Sequence, residues 1–389
     1  MLPLPAAIQP FVDQIRAAAA DQTPLQIRGG GSKDFYGCLQ PAGLLDTRSL
    51  SGVVDYAPSE LVVTVATGTP LSTLEALLAE QGQCLPFEPP HYQWSTRVAG
   101  APASTATVGG LVASGLAGPA RASVGSVRDY VLGLKLINGR GEYLTFGGQV
   151  MKNVAGYDVS RLMAGAMGTL GLMTEVSLKV LPFAPAEATL VFPLGQAAAL
   201  EQLHRWAGEP LPLNASCWVH DGSAGVAGQD LLFVRLRGAV AAVEAACQRM
   251  LREVPGERMD PAQAAADWDR CRDQTLPFFT DGAVTGHALW RLSVAQTAPL
   301  LDLPWAQLIE WHGGVRWLWA PLQAGPQLQT VARAAGGSAM VFVAGAADLT
   351  GAKCQFRSDV PGQAALLKRL KAAFDPAGIF NAGRLYSDF

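Results

Sequence analysis

The hydrophobic positions change their period along the chain. From Ala6 to Asp21 apolar residues recur every three or four positions, which predicts a helix that Pro24 ends. Short apolar or alternating runs follow at Leu25–Ile27, Leu44–Thr47, Val53–Tyr56 and Leu61–Ala66, each bounded by Gly, Pro or Ser, and these predict strands. Thr69-Pro70 opens a second helix, with Thr69 as N-cap, which runs to Gln81 and stops at Gly82. Arg128–Ile137 predicts a strand, with Glu142–Thr145 returning beside it across an Asn138-Gly139 turn. A short helix, Val159–Ala164, and a strand, Leu172–Val180, come next.

Strands and helices alternate in the second half. Thr189–Phe192, Ala215–Val219, Leu231–Leu236 and His287–Val294 read as strands. Gln196–Ala207, Ala239–Glu253 and Ala262–Gln274 read as helices, and a last helix covers Pro361–Phe374. Between Leu308 and Trp319 two apolar runs flank Gly313-Gly314, which predicts a two-residue hairpin turn. In that register His312 faces Val315, and Trp311 faces Arg316 closely enough for the guanidinium to stack on the indole.

Three small-residue stretches interrupt the pattern. Arg28-Gly29-Gly30-Gly31-Ser32-Lys33 follows a strand. Its backbone N–H groups could form an anion-binding concavity with Arg28 and Lys33 at the rim; a flexible turn is the alternative. The second stretch lies within Val98–Ala120, which carries no charge but holds two prolines and five glycines. That composition is unlike a transmembrane helix and predicts a loop-rich buried segment. Thr107, Gly109, Gly110, Ser114 and Gly118 there suit either a diphosphate and a ring edge or tight packing of a helix on a sheet. The third holds Lys152, Gly156 and Asp158, the last a candidate N-cap, and continues to Gly168, Thr169 and Gly171.

Composition narrows the classes. The chain has 389 residues, enough for two or three domains, and charged residues make up only 16%. Its formal charge is −3 with no long basic run, which argues against nucleic-acid binding. The six cysteines show no C-x-x-C spacing and the five histidines no H-x-x-x-H pair, so no metal site is expected. The cysteines read as reduced core residues of a cytoplasmic protein, and the N-terminus lacks the basic flank and apolar core of a signal peptide.

The three stretches in this order resemble the flavin-binding domain of the vanillyl-alcohol oxidase superfamily, the PCMH-type fold. Val150–Asp158 through Gly171 is most similar to the FAD-binding subunits of bacterial glycolate oxidases. The resemblance implies an α+β architecture. A two-subdomain FAD-binding domain spans 1–183, a ferredoxin-like α+β cap 184–345, and a C-terminal segment, 346–389, returns to the flavin domain with Arg384. Covalent-flavin relatives often carry His beside the first glycine loop; Ser32 and Lys33 stand there, which implies non-covalent FAD. Many relatives carry Glu where Met167 stands.

Two functions follow from the resemblance. In one, the chain is the FAD-binding subunit of a glycolate oxidase that turns glycolate into glyoxylate. It would work with a sister FAD subunit and an iron–sulfur subunit, pass electrons to quinone, and touch the inner membrane only peripherally through the complex. In the other it is a self-sufficient 2-hydroxy-acid dehydrogenase. Related dehydrogenases carry a cap motif H-x-G-D-G-N-x-H, which is absent here; Trp311–Arg316 is the nearest stretch. That leaves His312, Arg316 and His287 as weak catalytic candidates. A structural subunit with a vestigial flavin site is the third alternative.

Overall fold

The computed structural model describes residues 4–38, 40–92, 94, 105–148, 158–222, 228–283, 286–344 and 362–386. The chain divides into two compact units, one of Met1–Leu116, Ser126–Pro182 and Gln355–Phe389, the other of Ala117–Gly125 and Phe183–Cys354.

In the first unit the helix Gln9–Asp21 presents Phe11, Val12, Ile15 and Ala18 on its buried side. They join Leu25, Leu45, Ile137, Leu172, Ile379 and Phe380 in one core. Leu25–Arg28 pairs in parallel with Gly43–Asp46. A second, five-stranded antiparallel sheet runs in the order Val53–Ala57, Val62–Ala66, Leu172–Lys179, Val131–Ile137, Tyr143–Gly147. Val62 to Val65 are all buried, as a strand covered on both faces requires.

Several local expectations need correction. The second helix is Leu71–Glu80 with Pro70, not Thr69, at the N-cap. The Thr69 hydroxyl instead donates to the Ala66 carbonyl at 2.6 Å and so belongs to the turn before the helix. Residues Val127–Tyr130 form a short helix, and the strand begins only at Val131. A serine–aspartate capping box at Ser126 and Asp129 nucleates that helix. The turn after Ile137 is longer than two residues, because Ile137 pairs with Tyr143. Asn138 Oδ1 accepts from the N–H groups of both Arg140 and Glu142, and this ring of side-chain bonds replaces a tight turn. The uncharged Val98–Ala120 stretch, expected as loop, contains the helix Val108–Ser114, capped by the Thr107 hydroxyl accepting from Gly110 N–H.

The C-terminal helix Gln363–Phe374 is tied to this unit by a buried ion pair. Lys371 Nζ donates to Asp375 Oδ2 at 2.7 Å, to the Thr169 carbonyl at 2.7 Å and to the Phe380 carbonyl at 2.8 Å. Asp375 in turn accepts from the N–H groups of Ile379 and Phe380. Both side chains are almost wholly buried.

The second unit is an eight-stranded antiparallel sheet. Its order is Glu257–Arg258, Ala186–Pro193, Gln229–Gly238, Leu213–Asp221, Gln307–Glu310, Val315–Ala320, Ala288–Ser293, Ser338–Val343. Two halves meet where Cys217–Val219 pairs with Leu308–Glu310; the first holds two split β–α–β units, the ferredoxin-like pattern, and the second only one, built from Val315–Ala320, the helix Gly325–Ala334 and Ser338–Val343. The helices Gln196–Ala207 and Val240–Glu253 cover one end of one face with Leu203, Trp206, Val243 and Met250. Leu328 and Ala332 of the helix Gly325–Ala334 pack at the other end against Trp290, Leu292 and Leu318.

The Lys371–Asp375 pair generates the first prediction. Removing one partner leaves the other as an uncompensated buried charge, so Lys371→Met should cost about 3–5 kcal/mol, while the double variant Lys371→Met/Asp375→Leu should recover most of that loss. Urea unfolding of the three proteins checks it; equal midpoints for the double and single variants would exclude the pairing argument.

Candidate functional site

In the first unit the strand Leu25–Arg28 delivers the chain into the glycine loop. The cavity there is lined by Arg28 to Lys33, Thr107, Gly109, Gly110, Gly168, Gly171 and Arg384, with Thr67, Ala113, Met167 and Asn381 added by the structure. Among the described residues, none accepts a hydrogen bond from the backbone N–H of Gly29, Gly30, Gly31 or Ser32. Four consecutive donors beside a cavity are an arrangement able to accept an anion.

The glycines are needed for two different reasons. Gly31 has φ +78, the left-handed region, and a Cβ there would meet the Arg28 guanidinium. Gly30 keeps an ordinary φ; its constraint is close approach, because a Cβ would overlap the Thr105 carbonyl. Arg28 is paired with Asp34, its Nε donating to Asp34 Oδ2 at 2.8 Å. Lys33 is buried, its Nζ 3.3 Å from Ser32 Oγ and 3.4 Å from the Pro90 carbonyl. On the next segment a Cβ at Gly109 would stand 2.7 Å from Thr67 Cβ, so this glycine lets the helix Val108–Ser114 start against Thr67.

The C-terminal segment closes the cradle. Asn381 Oδ1 accepts from Ile27 N–H at 2.8 Å, and its Nδ2 donates to the Met167 carbonyl at 2.5 Å. Arg384 Nη2 donates to the Lys33 carbonyl at 2.8 Å. One asparagine in the left-handed region thus fixes the strand, the Gly165–Gly171 loop and the tail together. Sequence reasoning missed Asn381 and noted Met167 only as a departure from relatives. Asparagine near the end of an Asp-Pro-containing turn is a usable sign of positive φ; Met167, also at positive φ, gives no such sign.

The remaining sequence candidates lie elsewhere. The Ser114 hydroxyl donates to the Leu111 carbonyl and that of Thr169 to the Ala166 carbonyl, so both serve their own turns. Asp158 caps the helix Val159–Leu162, its Oδ1 accepting from Arg161 N–H at 3.1 Å. Gly118 belongs to the second unit, where its carbonyl accepts from Trp311 Nε1 at 3.1 Å. Lys152 and Gly156 lie outside the described residues.

In the second unit the hairpin differs from expectation. Glu310, not His312, pairs with Val315, and Ile309 pairs with Arg316, leaving residues 311–314 as the loop. The two-residue slip keeps each strand's faces as expected, because side chains alternate with a period of two. It puts Trp311 and His312 in the loop, both with φ +54. Trp311 is therefore not stacked by Arg316. Its ring lies between the guanidinium groups of Arg121, 4.5 Å away, and Arg291, 4.9 Å away.

His312 is buried between two hydroxyls. Its Nδ1 is 3.0 Å from Ser216 Oγ and its Nε2 3.0 Å from Ser123 Oγ, and its backbone N–H also donates to Ser216. Burial pushes its pKa down to about 4. Arg316 is fully buried on the helix-covered face, with Nη2 donating to the Ala298 carbonyl at 3.2 Å. His287 is half-buried just ahead of the strand Ala288–Ser293. Neither of its neighbours in sequence, Gly286 or Ala288, brings chemistry to it.

With this geometry in place, comparisons with known proteins add the following. Residues 3–147 match the family model described as FAD binding domain. The chain is similar to glycolate oxidase subunit GlcE of Escherichia coli strain K12, with 42% identity over 98% of this chain and 97% of that protein. It is 25% identical to D-2-hydroxyglutarate dehydrogenase of Xanthomonas citri pv. viticola, over 76% of this chain and 61% of the relative. It is 32% identical to glycolate oxidase subunit GlcD of Bacillus subtilis strain 168, over 44% of this chain and 34% of that one. The solved structure of alkyldihydroxyacetonephosphate synthase matches with TM-score 0.64 at 17% identity, covering 95% of this chain and 74% of that chain, a likeness of fold.

Two predictions come from these sites. Gly30→Val puts a branched side chain where the loop backbone meets the Thr105 carbonyl; flavin content should fall below about a tenth of wild type with far-UV circular dichroism unchanged. A variant that purifies with full flavin would show that the loop is only a turn. The second concerns His312. The folded state holds it neutral down to about pH 4, whereas the unfolded chain takes up a proton below about 6.5. Stability is therefore complete above pH 6.5 and falls by about 3 kcal/mol as pH drops to 4. His312→Asn, which suits the left-handed backbone, should remove that part of the pH dependence, read as the difference between the two unfolding curves.

Proposed function

Since the chain belongs to the family of FAD-binding glycolate oxidase subunits, we propose that it is the FAD-carrying subunit of a glycolate-oxidising complex rather than a dehydrogenase sufficient by itself. It is a flavoprotein and an FAD-dependent oxidoreductase. The observation that carries the subunit reading is His312. A general base for a 2-hydroxy acid works best with a pKa near the operating pH. His312 is pushed to about 4 and both its ring nitrogens already face serine hydroxyls. Arg316 is fully buried and bonded to the Ala298 carbonyl, so it is poorly disposed to hold a substrate carboxylate.

The residues of the first unit fit the cofactor. The N–H groups of Gly29–Ser32 would hold its diphosphate, with Arg28 and Lys33 adding positive charge and Arg384 and Asn381 bracing the loop from behind. Bound flavin supplies the two-electron acceptor for oxidation of an alcohol carbon. Ser32 and Lys33 offer no histidine at the position that covalent relatives use, so the flavin is held non-covalently. A sister FAD subunit, an iron–sulfur subunit and quinone complete the proposed electron path, and the complex would meet the membrane peripherally. Among the described residues, no helix is long and apolar enough to cross a membrane.

The test uses the purified full-length chain with its flavin. Acid or heat should release the yellow cofactor into the supernatant; flavin that stays with denatured protein would rule out non-covalent binding. Anaerobic glycolate or D-lactate should leave the flavin of the lone chain oxidised, and adding the sister subunits should restore turnover with an artificial acceptor. In that complex His312→Ala should lower activity by less than about tenfold, below the range of a lost general base. Rapid bleaching of the lone chain by glycolate, abolished by His312→Ala, would establish the self-sufficient dehydrogenase instead.

A further inference from the structure

Arg316 poses an electrostatic problem that the rest of the fold does not solve. It is wholly buried, and on its face of the sheet it pairs across strands with Ile309 and Leu292. Those two residues belong to the apolar cores on either side of it. Its Nη2 donates to the Ala298 carbonyl, while Nε and Nη1 have no hydrogen-bond acceptor among the described residues. No carboxylate pairs with it among those residues, and burial is the only influence that lowers its pKa, to about 10. It therefore stays cationic at neutral pH. A buried ion without a partner is among the costliest features a fold can contain, and a buried guanidinium is normally paired.

The surroundings define what could join it. Gly313 stands close to the guanidinium: a Cβ there would lie 3.7 Å from Arg316 Nη2, 3.2 Å from Leu200 Cδ2 and 3.0 Å from the Gln296 carbonyl. The segment over Arg316 is fastened at both ends. Val294 N–H donates to the Gly314 carbonyl, and Gln307 Nε2 donates to the Leu301 carbonyl at 3.1 Å. The charged neighbours of the hairpin loop, Arg121 and Arg291, are themselves cations stacked on Trp311.

We propose that Arg316 is the charged wall of a buried binding site for a small monovalent inorganic anion of the chloride type, which neutralises the guanidinium between the hairpin strand and the residue 295–301 segment. The requirement is for charge with little volume, which favours a halide over a carboxylate or a phosphate. The donor set is right for it: the unbonded Nε and Nη1 carry three N–H groups in an apolar layer, which bind a desolvated anion more strongly than water would, because the Coulomb attraction is little screened there.

The test uses the full-length flavoprotein. Thermal unfolding is followed from 1 to 100 mM sodium chloride or bromide, with ionic strength held constant by sodium gluconate. If the anion binds only the folded state, the transition assigned to the second unit should rise by roughly 5 °C, and gluconate alone should not move it. Arg316→Met should abolish the dependence, and Arg316→Lys, which keeps the charge, should retain part of it. Crystals of the wild type soaked in bromide should show an anomalous peak within about 3.5 Å of Arg316 Nε or Nη1. That arm needs no variant to fold. No halide-specific shift in the wild type, a shift that persists in Arg316→Met, or water without anomalous signal at the guanidinium would each overturn the proposal. Protection by glycolate as strong as by chloride would also overturn it, because the site would then accept a carboxylate.

Discussion

The buried Lys371–Asp375 pair organises the flavin-binding unit, although neither residue lines its cavity. Its ammonium collects two backbone carbonyls, one from the Gly165–Gly171 loop and one from the tail, while its carboxylate collects two N–H groups from the tail. An ion pair in an apolar interior offsets its desolvation only when its remaining hydrogen-bonding positions are filled, and here they are. The consequence is geometric. Thr169, Phe380 and the end of the last helix cannot shift separately, so Asn381 is delivered to Ile27 and Met167 in one position. Through the Asn381 contact the glycine loop inherits the rigidity of a segment some 350 residues away in sequence.

The second unit depends on a comparable constraint. Two consecutive non-glycine residues in the left-handed region, Trp311 and His312, cost roughly 1–2 kcal/mol each. They persist because their side chains are fixed from several directions. Trp311 donates to the Gly118 carbonyl and lies between two guanidinium groups, and its carbonyl accepts from Gln296 Nε2 and Gly314 N–H. His312 is held by Ser216 and Ser123. A neutral imidazole with both nitrogens bonded suits this structural duty. Burial penalises the charged imidazolium, and that desolvation is the origin of its low pKa.

Much of this was legible in the sequence, and the failures have identifiable causes. Periodicity found many of the strands and helices of the second unit and their ferredoxin-like alternation, because one face of each packs into a core, but not the helix Gly325–Ala334 or the strand Ser338–Val343. The Gly313-Gly314 pair suggested a two-residue turn, yet only Gly313 takes positive φ; the residues before it do the rest. No propensity rule places tryptophan in that conformation, so the four-residue loop could not be read locally. The Asn138-Gly139 turn failed differently, because Asn138 used its side chain to bond Arg140 and Glu142 rather than its own left-handed backbone. The glycine loop was legible as a place needing glycine, but not which contact demands it: Gly31 takes positive φ, whereas Gly30 needs room beside Thr105, a residue 75 positions away. Contacts of that range leave no local trace, which is also why the Asn381 contacts and the buried pairing of Lys371, readable only as a basic residue near a helix end, were not foreseen.

The two units differ in what kind of atom carries their chemistry, and that difference bears on function. The cradle presents backbone N–H groups, so its specificity resides in the path of the chain and in the small residues that permit it. Proton transfer and substrate clamping need side chains of suitable pKa. The residues that looked best for those tasks, His312 and Arg316, are engaged within their own unit, one by two serines and the other by the Ala298 carbonyl inside an apolar layer. A histidine whose pKa burial pushes down to about 4 accepts a proton at neutral pH far less readily than an ordinary one. Committed to structure in this way, His312 and Arg316 are poorly equipped for proton transfer and substrate clamping, which supports the proposed subunit role over a dehydrogenase sufficient by itself.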